Sequence, residues 1–256
     1  MISQEQFKKE LELIIANAIR EDVGDGDHTS LSCIPSDAHG KAKLLVKDNG
    51  IIAGVAFAKM IFDYVDSDLH VETFIQDGEK VNLGDVVFHV SGKSQSILKA
   101  ERLVLNSMQR MSAIATKTRS FADLLEGTHT KVLDTRKTTP GIRVIEKWAV
   151  TIGGGENHRF ALYDMIMIKD NHIDFAGGIA KAIQKTKKYL IENNNSVYFL
   201  QSPIPKDEKE TRKILTDKIH DFLDSIPHLQ EIDELSKVMM KSNDLVNKLF
   251  NKLLNS

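Results

Sequence analysis

The sequence has almost no cysteine and no long apolar run, the features typical of proteins in oxidising compartments and in membranes. Cys33 is the single cysteine among 256 residues, so an internal disulfide is excluded. Every apolar run is shorter than the roughly 18 residues that span a bilayer, because Lys, Asp or Gly interrupts it. The first ten residues lack the apolar stretch of a signal sequence. These absences predict a cytoplasmic protein without a membrane span.

An excess of charge of either sign is also missing. The formal net charge is −2, and 41% hydrophobic with 27% charged residues is typical of a globular protein. A chain of this charge has no overall attraction for nucleic acid or anionic lipid, so neither partner is expected. The histidines lack the spacing of metal ligands, and no serine lies in a nucleophile-elbow pattern. Any cationic site must therefore be a local cluster.

Glycine is absent from the last third of the chain. All fifteen glycines lie at or before Gly178. Pro203 and Pro205 mark a break, after which apolar spacing predicts amphipathic helices over 211–223 and 232–254. This change predicts a separate, mainly helical tail over residues 196–256.

The first hundred residues are predicted to form a small domain of helices and strands. Ser3 and Gln6 have the spacing of a capping box before an amphipathic helix. An irregular loop is expected over 21–30, where the acidic residues fit a calcium loop poorly. The alternation of apolar residues predicts strands over 41–47 and 51–53 joined by an Asn49-Gly50 hairpin, a helix over 54–65, and strands over 71–76 and 86–91.

Strand and helix patterns alternate in the next part of the chain, over residues 101–195. A long helix is predicted over 98–125, and shorter elements follow it: strands over 131–135 and 164–168, helices over 142–150 and 176–191, and a last strand over 197–200. Such alternation indicates a parallel α/β architecture. The predicted fold class is therefore α/β, with a compact first domain over 1–100 and the first part of a barrel after it.

Three segments place cationic side chains at strand ends or in a glycine-rich turn: DTRKTTPG, GGGENHR and IKDNHI. The carboxyl ends of barrel strands converge on one face, so these cations can share a pocket for a multiply charged anion. Each cation taken alone is more often a solvated surface residue, and each histidine more often an ordinary loop residue. The triple glycine is a weak nucleotide motif, but it permits close approach of the backbone to a ligand.

The order of five motifs along the chain is more specific than any one of them. EDVGDGDHTS, ERLVLNSMQRMSAIAT, LDTRKTTPG, GGGENHR and LYDMIMIKDNHI together closely resemble the signature series of quinolinate phosphoribosyltransferases, over roughly residues 10–190. The resemblance implies an N-terminal α/β sandwich domain joined to an α/β barrel, which in this chain is incomplete.

The resemblance also implies the residues of an acid-binding site. It assigns Arg102 to the pocket of a neighbouring subunit, which requires a homodimer or higher homo-oligomer. It assigns substrate binding within one subunit to a set of cationic and polar residues, among which Lys137 and Lys169 are catalytic. The set is Thr135, Arg136, Lys137, His158, Arg159, Lys169 and His172.

The reaction that the resemblance implies joins quinolinate to phosphoribosyl pyrophosphate and releases pyrophosphate and carbon dioxide, giving nicotinate mononucleotide for NAD synthesis. Cations must neutralise the substrate carboxylates, and Mg²⁺ is expected to steady the departing pyrophosphate. The cationic motifs provide for the first requirement only. The metal ligands cannot be identified from this sequence.

After Asn195 the acidic strand ends and glycine-rich turns of the family do not appear. The chain is then a truncated or divergent copy, a protein that binds an aromatic dicarboxylate without turning it over, or a barrel completed by its tail and a partner chain. A noncatalytic oligomeric scaffold and an enzyme for a different acid are further alternatives. The acidic residues Asp207, Glu208 and Glu210 are more typical of a solvated helix start than of a magnesium site.

Overall fold

The structure is a computed structural model, and it describes residues 2–128 and 130–193 together with the backbone of Tyr198–Gln201. The described residues belong to two compact units. Among these residues, the first unit contains 2–128, 130–166, 188–193 and 198–200, and the second contains 167–187 and Gln201. The predicted tail helices over 211–223 and 232–254 and the acidic residues at 207–210 lie outside the described residues. The predicted domain boundaries near residues 100 and 195 stay a prediction.

Seven helices account for most of the described chain. They are α1 (Gln4–Val23), α2 (His28–Cys33), α3 (Val55–Val65), α4 (Ser94–Leu124), α5 (Arg143–Ile152), α6 (Asp170–Ala176) and α7 (Ile179–Glu192). Ser3 caps α1 as predicted, because its hydroxyl accepts from the Gln6 backbone N–H. The Gln6 side chain instead donates to the Tyr163 hydroxyl at 2.8 Å. The helices expected from the apolar periodicity within the described residues are confirmed, whereas α2 and α6 were not predicted.

The seven described strands are short and form three small sheets. They are β1 (His39–Leu45), β2 (Gly50–Ile51), β3 (His70–Thr73), β4 (Lys80–Val81), β5 (Val86–Lys93), β6 (Met165–Ile168) and β7 (Tyr198–Gln201). The largest sheet has the order β1-β5-β3 with antiparallel pairs, and the others are β2-β4 and β6-β7. Helices and sheets together agree with the predicted α/β class.

The predicted hairpin at Asn49-Gly50 is wrong. Strand β1 pairs with β5, whereas β2 pairs with β4, so the two strands on either side of Asn49 enter different sheets. The Asn49 side chain accepts from the Leu83 N–H at 2.9 Å, and the Ile51 N–H donates to the Thr116 hydroxyl of α4. These long-range bonds outweigh the local turn preference of the dipeptide.

The predicted strand over 131–135 is also wrong. This segment has a single parallel bridge, between Leu133 and Glu156, in place of a ladder. Leu133 is 52% exposed, so the segment is not buried as its composition suggested. An apolar run becomes a strand only where a neighbouring strand satisfies its backbone groups.

The core of the first unit surrounds α4. This 31-residue helix buries Val104, Met108, Met111 and Ala115 among side chains of α1, α3, β5 and α5. Phe57 and Ile61 of α3 are fully buried in the same cluster. Helix α5, which follows the cationic motif in the sequence, packs on α4. Within the described part of the chain, no helix has the length and apolarity needed to cross a bilayer.

Candidate functional site

The DTRKT and NHR motifs meet at the Asp134 carboxylate. Asp134 forms an ion pair with Lys147 of α5, and both side chains are at most 7% exposed. The same carboxylate accepts from the His158 backbone N–H at 2.9 Å. The backbone joins the two segments as well, since the Glu156 N–H donates to the Val132 carbonyl and the Asp134 N–H donates to the Glu156 carbonyl. Two motifs that lie some twenty residues apart in the chain are thereby held side by side.

Arg159 is the most buried of the predicted acid-binding residues, with 7% of its surface exposed. Its guanidinium donates to the Met165 carbonyl at 3.1 Å. Its backbone N–H donates to Nδ1 of His158 at 2.7 Å, so the neutral His158 ring carries its proton on Nε2. The His158 ring is therefore oriented by the backbone and can present an N–H donor.

Arg136 and Arg159 lie close enough for their charges to interact. Burial and the nearby Arg136 guanidinium hold the pKa of Arg159 below its usual value, while Asp164 opposes this effect. The Nε of Arg136 is buried and has no hydrogen-bond partner among the described residues. Two like charges in a partly dry setting raise the free energy of the site until an anion neutralises them. This pair therefore provides a local excess of positive charge.

Asp164 shapes the turn that follows the NHR motif. Its carboxylate accepts from the Phe160 N–H at 2.7 Å and from the Ala161 N–H at 2.8 Å. Burial raises the pKa of Asp164, but hydrogen bonds from backbone amides, first those of Ala161 and Phe160, and the positive charge of the N-terminus outweigh this effect, so the pKa is lowered overall. The ionised Asp164 thus fixes the backbone between Arg159 and β6.

Thr135 and Lys137 are exposed neighbours of Arg136. The Lys137 backbone N–H donates to the Thr135 hydroxyl at 3.0 Å, which folds the loop back on itself. The Lys137 ammonium remains in solvent, where a mobile point charge can approach a bound anion. The loop therefore carries two cations, the half-buried Arg136 and the exposed Lys137.

Lys169 and His172 belong to the second unit. Lys169 precedes α6, and its backbone N–H donates to Nδ1 of His172 at 3.0 Å. Both residues are exposed. The structure therefore brings Arg136, His158 and Arg159 together in the first unit, whereas the participation of Lys169 and His172 in the same pocket stays a prediction.

Arg102 is exposed on α4, where it lines an open groove of about 730 Å³. The groove runs along one face of α4 past Leu105 and Ser112, and its other wall is formed by residues 44–52. A guanidinium in this position is available to a second molecule. Its predicted role in a neighbouring subunit's pocket stays a prediction.

Three charged residues of the site were missed in the sequence: Asp134, Glu146 and Lys147. All three side chains are almost completely buried. Two adjacent charges inside the otherwise apolar run Ile145 to Val150 were a signal that could have been used, because such a helix face normally packs against the core.

The three glycines Gly153 to Gly155 lie against helix α4. A Cβ built on Gly153 would lie 2.5 Å from the Ala115 carbonyl oxygen of α4, and one on Gly155 would lie 2.9 Å from the Thr118 side chain. The two glycines therefore let the turn before the NHR motif pack directly on α4. A close approach of this backbone to a ligand was expected, and the structure shows a close approach to helix α4.

The described part of the chain contains no set of side chains that could bind the predicted Mg²⁺. Within residues 2–128 and 130–193, no group of three or more His, Cys, Asp or Glu side chains comes together in a way that could hold an ion. No described residue is therefore assigned to Mg²⁺.

Comparison with protein families gives two adjacent matches. A family model described as the N-terminal domain of quinolinate phosphoribosyl transferase matches residues 27–112, and the model of the C-terminal domain of that protein matches residues 114–201. The two matches meet within α4. Together they include all of the predicted site residues.

Individual proteins match over most of this chain. A quinolinate phosphoribosyltransferase [decarboxylating] 1b of Nicotiana tabacum is 48% identical over 216 residues, which are 84% of this chain and 58% of the tobacco protein. A probable nicotinate-nucleotide pyrophosphorylase [carboxylating] of Bacillus subtilis is 42% identical over 179 residues, which are 70% of this chain and 62% of that protein. The chain thus spans little more than half the length of these curated relatives.

Solved structures match the fold as well. The crystal structure of NadC from Streptococcus pyogenes has a TM-score of 0.69 and 34% identity, and the match covers 80% of this chain and 70% of that one. Nicotinate-nucleotide pyrophosphorylase from Ehrlichia chaffeensis also has a TM-score of 0.69, with 32% identity over 84% of this chain and 74% of that one.

Proposed function

The chain belongs to the quinolinate phosphoribosyltransferase family, and we propose from this that it binds quinolinate and transfers a phosphoribosyl group to it. In the proposed reaction, phosphoribosyl pyrophosphate is the second substrate. Nicotinate mononucleotide, pyrophosphate and carbon dioxide are the products. The 48% identity to a tobacco protein named for the decarboxylating activity supports this reaction.

The observation that carries the proposal is the pair of neighbouring guanidiniums of Arg136 and Arg159. Burial, together with the nearby Arg136 charge, lowers the pKa of Arg159, and Arg136 Nε is buried without a partner in the described part of the chain. A pyridine with adjacent carboxylates supplies two negative charges to such a pair. Arginine binds a carboxylate through two parallel N–H donors, so a planar dicarboxylate fits this pair better than a single charge would.

The other predicted residues have supporting roles in the proposal. His158 donates from Nε2 to a carboxylate, and Thr135 adds a hydroxyl. Lys137 and Lys169 stabilise the negative charge that develops as carbon dioxide leaves, and His172 orients the Lys169 backbone. Arg102 reaches the pocket of a second copy, so the proposed assembly is a homodimer or a higher homo-oligomer. We place the protein in the cytoplasm as part of the same proposal.

Mg²⁺ is proposed as a partner of the pyrophosphate group. In proteins Mg²⁺ keeps several waters and is often held by one or two carboxylates together with substrate phosphates. When bound, it would neutralise charge on the leaving group. The described residues of the first unit need only bind and orient the acid.

Two measurements test the proposal. The purified full chain is incubated with quinolinate, phosphoribosyl pyrophosphate and Mg²⁺, and nicotinate mononucleotide is measured by chromatography. Calorimetry with quinolinate alone compares the wild type with Arg136→Ala. We expect Arg136→Ala to weaken binding about 10- to 100-fold, which is the loss of hydrogen bonds to a charged group. Lys131→Ala serves as the control, because Lys131 is a nearby cation whose side chain is 64% exposed.

The outcomes separate the alternatives. Product formation supports the transferase, whereas binding without product supports a homologue that holds the dicarboxylate without turning it over. Equal quinolinate affinity in the wild type and Arg136→Ala would show that the assigned site is wrong. Tighter binding of another dicarboxylate in competition would show that the protein acts on a different acid.

A further inference from the structure

Helix α5 carries two adjacent charged residues that are both buried. Glu146 is 6% exposed and Lys147 is 2% exposed. Consecutive residues of a helix point about 100° apart, so the two side chains reach different neighbours. Charges of this kind are costly to bury unless each is paired and hydrogen-bonded. Both of these are paired, and in each case one partner belongs to the segment from Asp134 to Thr139.

Lys147 holds the beginning of that segment. Its ammonium forms an ion pair with Asp134 and donates to the His158 carbonyl at 3.3 Å. Asn157 closes the same cluster, because its amide nitrogen donates to Asp134 and to the Lys147 carbonyl in the orientation that satisfies both groups. This end of the segment is therefore tied both to α5 and to the NHR motif.

Glu146 holds the end of the segment. Its carboxylate accepts from the Thr139 N–H at 3.0 Å and from the Thr139 hydroxyl at 2.9 Å. The other partner is Arg110 of α4, whose Nε and Nη2 donate to the same carboxylate at 2.9 Å and 2.7 Å. This end is therefore tied to both α5 and α4.

Between the two ends, residues 135–138 form a loop without helix or strand. The loop carries Arg136 and Lys137, the cations proposed to bind the acid. We propose that Glu146 and Lys147 are positioning residues that clamp both ends of this loop and so set where the Arg136 guanidinium lies relative to Arg159. The inference rests on the proposed quinolinate site. Stability alone is a weak account of the pairs, because apolar residues of similar volume commonly replace a buried ion pair without loss.

The test measures ligand discrimination as well as affinity. The full chain and its variants are titrated by calorimetry with quinolinate and with nicotinate, which lacks one carboxylate. The variants are Lys147→Met, which removes the charge at similar length, and Glu146→Gln, which keeps the shape. A double variant, Lys147→Met with Asp134→Asn, removes both charges and avoids leaving Asp134 buried and unpaired. Ile145→Val is the control, since Ile145 is a buried residue of the same helix that belongs to the apolar core.

We expect quinolinate affinity to fall about tenfold in the double variant and in Glu146→Gln, as for a misplaced charge-assisted contact. The ratio of quinolinate to nicotinate affinity should fall with it, whereas simple destabilisation lowers both affinities equally. Ile145→Val should keep the wild-type ratio. The proposal is wrong if the double variant and Glu146→Gln keep that ratio, or if Ile145→Val lowers it equally. A wild type that does not bind quinolinate contradicts the proposed function itself, which is a different result.

Discussion

Replacing Gly153 by alanine tests how closely the turn before the NHR motif packs on α4. Gly153 ends α5 with φ −73°, a backbone conformation that alanine adopts freely. The added Cβ would lie 2.5 Å from the Ala115 carbonyl oxygen, 2.7 Å from the Thr118 Cβ and 3.0 Å from the Ala115 Cα. Two of these three atoms are backbone, so relief requires α4 and α5 to move apart.

The expected loss follows from this geometry. Forcing extra atoms into a packed core costs about 3 kcal/mol at the upper end of the usual range. For a chain of this length that loss lowers the melting temperature by about 6 to 12 °C. Thermal unfolding followed by circular dichroism or calorimetry measures the shift.

The control is the next residue. Gly154 has φ +92°, and its Cβ would meet nothing closer than the Ala122 Cβ at 3.6 Å. Gly154→Ala therefore carries backbone strain without a clash, and we expect a loss of about 1 kcal/mol. If Gly153→Ala proves as stable as Gly154→Ala, the packing of this turn on α4 is not as close as the structure indicates.

Two further predictions concern the same unit. Burial raises the pKa of Glu146, but its hydrogen bonds from Thr139 and Arg110 outweigh this effect and hold the pKa below 4.5. The ionised Glu146 therefore stabilises the folded state above pH 4.5, and this stabilisation is lost as the pH falls through the pKa of the folded state. Glu146→Gln should therefore cost about 2 kcal/mol at pH 7 and flatten the acid limb of a stability profile measured by urea unfolding; an unchanged acid limb would contradict this assignment. Met111→Ala, at a position with 0% exposure, should cost about 3 kcal/mol, whereas Gln109→Ala on the exposed face of α4 should change the unfolding free energy by less than about 0.5 kcal/mol.

The helices of the first unit could be predicted well because their signals are local. The spacing of Leu98, Met108 and Met111 repeats within a few turns and predicts a helix over 98–125, and α4 runs from Ser94 to Leu124. The hairpin prediction was wrong because strand pairing depends on residues that are distant in the sequence. The pairing of β1 with β5 joins residues about fifty positions apart, and no local pattern reports such a partner.

The role of the cationic residues in a site stays a prediction, and the buried residues that contact their loop were not predicted. Arg136, His158 and Arg159 were chosen because their motifs resemble a family, and the first unit does bring them together. Asp134, Glu146 and Lys147 looked like ordinary charges in the sequence. Their importance depends on burial, which only the packing of α5 on α4 reveals.

The sequence by itself determined where the longer described helices lie to within a few residues, which motifs carry cationic side chains, and which family the chain belongs to. These properties depend on residue order over short distances, or on the order of motifs. The tertiary structure decided which strands pair, that Gly153 contacts α4, and that Glu146 and Lys147 hold opposite ends of one loop. The physical reason is that a buried charge or a close backbone approach is defined by its neighbours in space, and those neighbours are remote in the chain.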